Sequence, residues 1–190
     1  DVYASFDNYT EVEPLDGDNM YEAEGHGKQA ARKGVLFQDF PPVLQLHLRR
    51  FDYDFQCDTM VKINDRYEFP LELDLGRDGG KYLVAGADRS KPCKYLLHSV
   101  LVHSGGVHGG HYYAFIRPDC GVKSVTPGGE ADAGQWFKFD DERVTREEES
   151  EAVDQQFGGD GSPPVTAPTH QPFLSKLAKF SNAYMLVYVR

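Results

Sequence analysis

The sequence predicts an α+β fold, mostly antiparallel β-sheet with a few short helices. Three observations predict it. The apolar runs "YLLHSVLVHS" (Tyr95 to Ser104) and "HYYAFIRP" (His111 to Pro118) are joined by a short glycine-rich loop and read as a central hairpin. In "PPVLQLHLRRFDYDF", Leu44, Leu46 and Leu48 alternate with Val43, Gln45 and His47, so the leucines share one buried strand face. The helical signals, by contrast, are short and interrupted by glycine.

In chain order, residues 1–20 mix aromatic and β-branched residues with Asp-Gly and read as short strands and a turn. "YEAEGHGKQAARKG" reads as a short polar helix, weakened by Gly25 and Gly27 and stopped by Gly34. Pro41-Pro42 bars the leucine strand from starting earlier. "VKINDRYEFP" is a further strand-turn-strand candidate, and "LELDLGRDGGKYLVAGADRSKP" a charged, exposed stretch. After the central hairpin, "QWFKFDDERV" is the next strand. "TREEESEAVDQQFGG" reads as a helix with Thr145 as N-cap, Glu148 closing a capping box and Gly158 as the stop. "NAYMLVYVR" is a closing apolar strand. Residues 119–134 and 159–172 are rich in Gly, Pro, Ser and Thr and read as flexible surface loops.

The composition sets limits. With 190 residues, 40% of them hydrophobic, the chain can bury a core of one domain or a large part of one. The formal net charge of −10 argues against a nucleic-acid partner, which calls for clustered Lys and Arg, and favours a basic protein or peptide. No run of about 18 apolar residues appears, so no membrane span is expected. Three cysteines without a CxxC pair (Cys57, Cys93, Cys120) argue against a disulfide framework or a zinc ribbon. The expectation is an intracellular protein of the cytoplasm, the nucleus or both. The first residue is Asp1, not Met, which reads as a piece of a longer or processed chain.

The chemistry concentrates in "HSGGVHGGHYYAFIRP". His111 stands where the glycine loop becomes a strand, with Tyr113 and Phe115 on its face to shield the imidazole. Gly109 and Gly110 carry no side chains, so another backbone can pass close by. A histidine fixed beside such a channel suits a general base acting on a threaded peptide. "FDDE" offers the carboxylate such a base needs, from Asp140 or from its neighbour Asp141. The alternatives are a packed core histidine and solvated strand-end acids. His103 and His108 read as substrate-contacting or surface groups. A zinc site on His103, His108 and His111 is the rival chemistry, disfavoured by the floppy glycine spacing, so no metal and no cofactor is expected.

These segments resemble a known family. "LLHSVLVHSGGVHGGHYYAFIRP", "WFKFDDERV" and "NAYMLVYVR" are similar to the histidine box and following strands of the ubiquitin-specific proteases, and "PPVLQLHLRRFDYD" with "KINDRYEFP" to the segment upstream of that box. The resemblance is nearest to the herpesvirus-associated member and its plant relatives. It implies a papain-like cysteine peptidase fold with fingers, palm and thumb, hydrolysing the bond after the Gly-Gly tail of ubiquitin. Its partners would be ubiquitin and ubiquitinated proteins. It implies His111 as base and Asp140 as orienter, with Asp141 the alternative. Residues 104–110 would border the channel for the tail, and Arg50, Phe51, Tyr53 and Tyr112 would line its path.

One departure from the family pattern matters. Its nucleophile lies in a Gly-Asn-Thr-Cys segment at a helix N-terminus, and no such segment occurs in this sequence. None of the three cysteines heads a predicted helix, the usual device for stabilising a thiolate. The expectation is therefore the C-terminal portion of a catalytic domain, with a fingers remnant over about 1–40 and palm over about 41–190. The cysteine would lie in an upstream half, and this chain alone would be inactive. The alternative is an inactive ubiquitin-binding fragment or pseudo-enzyme.

Overall fold

The computed structural model describes residues 1–120, 134–159 and 180–190. The two glycine- and proline-rich loops expected at 119–134 and 159–172 fall almost wholly outside the described residues. The chain divides into two compact units. The first is Asp1–Phe40 with Asp74–Cys93; the second is Pro41–Leu73 with Lys94–Arg190. No helix among the described residues is long and apolar enough to cross a membrane.

The first unit opens on a helix, α1 (Val2–Tyr9), where strands were expected. Asp1 caps it, its carboxylate accepting from the Ala4 amide at 2.8 Å. Val2 and Phe6, one turn apart, are its buried residues, and Phe6 packs against Phe37, Phe40 and Tyr82. Strand β1 (Glu13–Leu15) pairs with β4 (Ala31–Lys33), and β2 (Tyr21–Ala23) with β3 (Gly27–Gln29). The expected polar helix over 21–34 is thus a set of short strands. Gly25 and Gly27, both at positive φ, make the turn between β2 and β3 instead of weakening a helix. Residues 74–93 join this unit through a single-turn α2 (Arg77–Gly80). The stretch 71–92, expected to be exposed, buries Leu73, Leu75, Tyr82 and Leu83.

The second unit is built on one antiparallel sheet. Its strands are β5 (Val43–His47), β8 (Glu72–Asp74), β9 (Lys94–Gly106), β10 (Gly109–Ile116), β11 (Trp136–Asp140), β12 (Arg143–Glu147) and β13 (Ser181–Val189). A separate hairpin is made by β6 (Phe51–Asp54) and β7 (Thr59–Lys62). The main order is β12-β11-β10-β9-β13-β5, with β8 also on β9. Leu97, Val100 and Val102 of β9 and Leu186 and Tyr188 of β13 are fully buried, so the two central strands carry the core. Each such side chain contributes roughly 1.5–3 kcal/mol by leaving water.

Two local expectations over 143–158 are revised. Thr145 is not a helix cap: it sits inside β12, paired with Lys138, and its hydroxyl donates to Glu147 at 2.7 Å. The helix is one turn, α3 (Glu149–Ala152), capped at Glu148 without a side-chain bond. Gly158 does end the segment, at φ +80°; a Cβ there would meet the Asn64 carbonyl at 2.8 Å.

Arg50, directly before β6, is buried at 3% exposure. Its Nε donates to the Ala183 carbonyl at 3.1 Å, Nη1 to Asp65 at 2.6 Å and Ile63 at 3.4 Å, and Nη2 to Phe157 at 3.1 Å. One planar fork thereby stitches together backbone from distant segments of the unit. Arg50→Ala in the full-length protein strands these buried carbonyls and is expected to cost about 2–4 kcal/mol. Arg50→Lys recovers little of this, because a single ammonium cannot span the same acceptors. Thermal unfolding of both variants checks the ranking, with a fall in Tm of several degrees expected for each.

Candidate active site

The site grows out of the β9-β10-β11 ladder. β10 pairs with β9 in the register His111↔Ser104 and Tyr112↔His103, and with β11 in the register Ala114↔Phe139. Alternation along β10 puts His111, Tyr113 and Phe115 on one face. Along β11 it puts Lys138 and Asp140 on one face. Register and pleat together bring Asp140 Oδ1 to 2.6 Å from His111 Nε2, across 29 residues of sequence. An ionised carboxylate can only accept, so Nε2 donates and Nδ1 is left as the ring's free acceptor.

Asp140 is held on its other side as well. Lys138 Nζ stands 2.9 Å from Asp140 Oδ2 and 4.2 Å from the centroid of the Tyr113 ring. Lys138 takes one oxygen and His111 the other. The Lys138 bond first, then the His111 bond, hold the Asp140 carboxyl below its ordinary value. The imidazole itself is 46% exposed, so Tyr113 and Phe115 shield it less than expected and leave it open to a substrate.

Asp141 stands apart in backbone terms. Asp140 and Arg143 are paired, so Asp141 and Glu142 form a two-residue turn, with Asp141 at φ +52°. One carboxylate oxygen of Asp141 still lies within 4.8 Å of the ligand atoms of both His111 and Asp140. His103, His108 and His111, the trio of the zinc reading, do not form a ligand cluster among the described residues.

A groove lies on the face of β10 that carries Gly110 and Tyr112, the two neighbours of His111. One side is Phe51 and Met60 of the β6–β7 hairpin; the other is Gly106, Val107, His108, Gly109 and Gly110 with Tyr112. His103 and Tyr184 also line it. His103 is 4% exposed, edge-on to Phe51 at 5.3 Å and tilted against Tyr112 at 4.7 Å. Burial and the nearby Lys62 charge lower its pKa, which keeps it neutral. The glycines are sterically required: a Cβ on Gly110 would stand 2.3 Å from His103 Nε2.

Of the residues expected along a tail path, Phe51, His103, Gly109, Gly110 and Tyr112 line this groove. Arg50 does not, because burial and its carbonyl bonds turn its guanidinium into the protein interior. Tyr53 is also off the lining, its hydroxyl donating to Asp58 within the β6–β7 hairpin. Sequence reasoning missed Lys138, Met60, Tyr184 and Lys62. The signal for Lys138 was available: in "FKFDD" it lies two residues before Asp140, on the same strand face.

Comparison with known proteins fits this geometry. The sequence profile of the family described as ubiquitin carboxyl-terminal hydrolase matches residues 10–188. The chain belongs to the ubiquitin carboxyl-terminal hydrolase family. It is 64% identical over 193 residues to "Ubiquitin C-terminal hydrolase 12" of Arabidopsis thaliana, covering 100% of this chain and 16% of that protein. It is 48% identical to "Ubiquitin carboxyl-terminal hydrolase 5" of Schizosaccharomyces pombe, covering 98% of this chain and 15% of that protein. The chain thus spans less than a fifth of the length of these relatives. Among solved structures, it is similar to a chain of the SAGA DUB module bound to monoubiquitin, with TM-score 0.63 and 25% identity, over 99% of this chain and 32% of that one. A yeast SAGA DUB module with a mutant Sgf73 shares the fold at TM-score 0.64 and 24% identity, over 99% of this chain and 32% of that one. The α+β, mostly antiparallel fold is therefore that of the family's ubiquitin-specific proteases.

The clamp on Asp140 makes a prediction independent of turnover. A carboxylate with a depressed pKa contributes stability above its unfolded value and loses it as pH falls through the folded value. Lys138→Met removes the larger of the two causes, so the Asp140 carboxyl should titrate at higher pH than in the wild type. Carboxyl NMR titration of both proteins measures this, and Lys138→Arg should stay near the wild type.

Proposed function

We propose that this chain supplies the base and the orienter of a cysteine-type deubiquitinating site, with His111 as general base and Asp140 as orienter. The observation that carries this reading is the 2.6 Å bond from His111 Nε2 to Asp140 Oδ1, which fixes the tautomer with Nδ1 as acceptor. In the reaction, Nδ1 takes the proton of a thiol. The thiolate attacks the carbonyl carbon after the terminal glycine of ubiquitin. The imidazolium then returns the proton to the leaving amine, and water, deprotonated by the same nitrogen, releases the acyl group. Asp140, kept ionised by Lys138 and His111, balances the imidazolium charge.

The groove supports ubiquitin as the substrate. Gly106, Gly109 and Gly110 present side-chain-free backbone on one wall, which admits a tail ending in two glycines. Phe51 and Tyr112 supply apolar and aromatic surface along it. The acidic balance of the chain, −10, steers towards a basic partner.

The thiol comes from a part of the catalytic domain other than this chain. Cys120 is buried, its thiol pushed up by that burial, and bonded to the Arg117 carbonyl. The Cys93 thiol donates to the Lys91 carbonyl at 3.6 Å. Cys57 lies in the exposed β6–β7 turn, its amide held by Asp54 at 3.2 Å. A ubiquitin-binding chain without turnover is the second reading, favoured by the same lack of a thiol bonded to His111.

In the full-length protein, His111→Ala should lower the hydrolysis of a ubiquitin aminomethylcoumarin amide by several orders of magnitude. Asp140→Ala should lower it strongly, and Asp141→Ala by less. Near-normal turnover in His111→Ala removes this residue from the mechanism, and the reverse order of the two acids transfers the orienter to Asp141. A ubiquitin probe with a thiol-reactive warhead should leave Cys57, Cys93 and Cys120 unlabelled in the isolated chain. Binding of ubiquitin by a full-length protein that never turns it over selects the second reading.

A further inference from the structure

The groove lined by Gly110 and Tyr112 has walls carried by two different hairpins. Phe51 and Met60 come from β6–β7, and the glycine segment with Tyr112 from β9–β10. Among the described residues β6 and β7 pair only with each other, so no strand ladder there joins the walls. Lys62, the last residue of β7 and the ladder partner of Phe51, crosses the gap. Its ammonium donates to the His103 carbonyl at 2.9 Å and the Gly105 carbonyl at 3.0 Å on β9. It also donates to the Phe180 carbonyl at 2.5 Å, just before β13. Three N–H donors meet three carbonyls, the full capacity of a lysine.

The acceptors are themselves fixed. The Phe180 carbonyl also accepts from the Gly105 amide at 3.1 Å. Ser181 Oγ donates to Ser104 Oγ at 2.6 Å. Gly105, at φ +117°, leaves no room for a Cβ, which would fall 2.7 Å from the Gly109 carbonyl. Lys62 thus grips the rigid base of the glycine hairpin. The charged and titratable groups facing it are Arg50, next to β6, and His103 on β9. Burial, then the Arg50 charge, lower its pKa to about 8, so at neutral pH it still carries all three protons.

We propose that Lys62 is a positioning residue that ties the β6–β7 wall to the β9–β10 wall and so sets the width of the groove for the tail of ubiquitin. The proposal rests on the reading of the groove as the tail site. It separates Lys62 from the chemical step, because the His111–Asp140 pair is held by β10 and β11 on its own.

The test uses the full-length protein. Lys62→Met keeps the apolar stem and removes the donors; Lys62→Arg keeps a cationic donor group. With a ubiquitin aminomethylcoumarin amide, Lys62→Met should raise KM about tenfold while kcat stays within about threefold, and Lys62→Arg should recover most of the KM. Lys62→Gln, shorter and uncharged, gives the same KM rise and replaces Lys62→Met if that variant does not fold. Backbone hydrogen exchange over 103–111 should quicken in Lys62→Met and stay unchanged over 136–147. An unchanged KM, a loss confined to kcat, or unaltered exchange over 103–111 overturns the proposal. If the wild type does not turn over the ubiquitin amide at all, the proposed function fails instead. The exchange measurement then decides alone whether Lys62 ties the walls.

Discussion

The tightest steric constraint among the described glycines is at Gly110, where a side chain would run into an imidazole, and the rest of the arrangement follows from it. At Gly110 the β9–β10 hairpin folds so tightly that a Cβ would come within 2.3 Å of His103 Nε2 and 2.5 Å of the Ser104 carbonyl. No real side chain fits there. The missing side chain lets β10 lie against β9 in the register that sets His111 opposite Ser104 and Tyr112 opposite His103. Because side chains alternate, a slip of one residue would turn His111 to the opposite face, away from Asp140. Glycine at this position serves the placement of His111 as well as access to the groove.

The central strands were legible because their residues obey one constraint, burial on a pleated sheet. β9, β10, β11 and β13 all lie on the apolar runs read as strands. The first unit was not legible in the same way. "VYASFDNY" is rich in residues that favour strands, yet Val2 and Phe6 sit one helical turn apart and Asp1 supplies the cap, so packing of Phe6 among Phe37, Phe40 and Tyr82 overrides propensity. Over 21–34, Gly25 and Gly27 were read as weakening a helix when they sit at positive φ at the turn between two strands. The cap assigned to Thr145 failed because the tight Asp141–Glu142 turn sends the chain straight back as β12.

The site was legible to the extent that its members are close in sequence or tied by alternation. The His111–Asp140 pairing needs only that two predicted strands be neighbours. Lys62 and Arg50 could not be read in the same way, because what defines them is main-chain carbonyls from remote segments, and a carbonyl has no letter in the sequence. The two cations also divide by chemistry. Arg50 meets carbonyls from four residues spread over separate segments, which suits a planar fork. Lys62 meets three carbonyls converging on one point, which suits a compact ammonium.

The cations also separate the roles of two neighbouring histidines. His103 lines the groove, whereas His111, next to the His103 ladder partner Tyr112, points to the other face of the hairpin. His103 is buried, has the Lys62 charge nearby and leaves its Nδ1 without a partner, so its surroundings resist the proton that a base must accept. His111 is half exposed and bonded to the Asp140 carboxylate at 2.6 Å. Burial first, and the Lys62 charge second, lower the pKa of His103, while Lys62 takes no part in the His111–Asp140 pair.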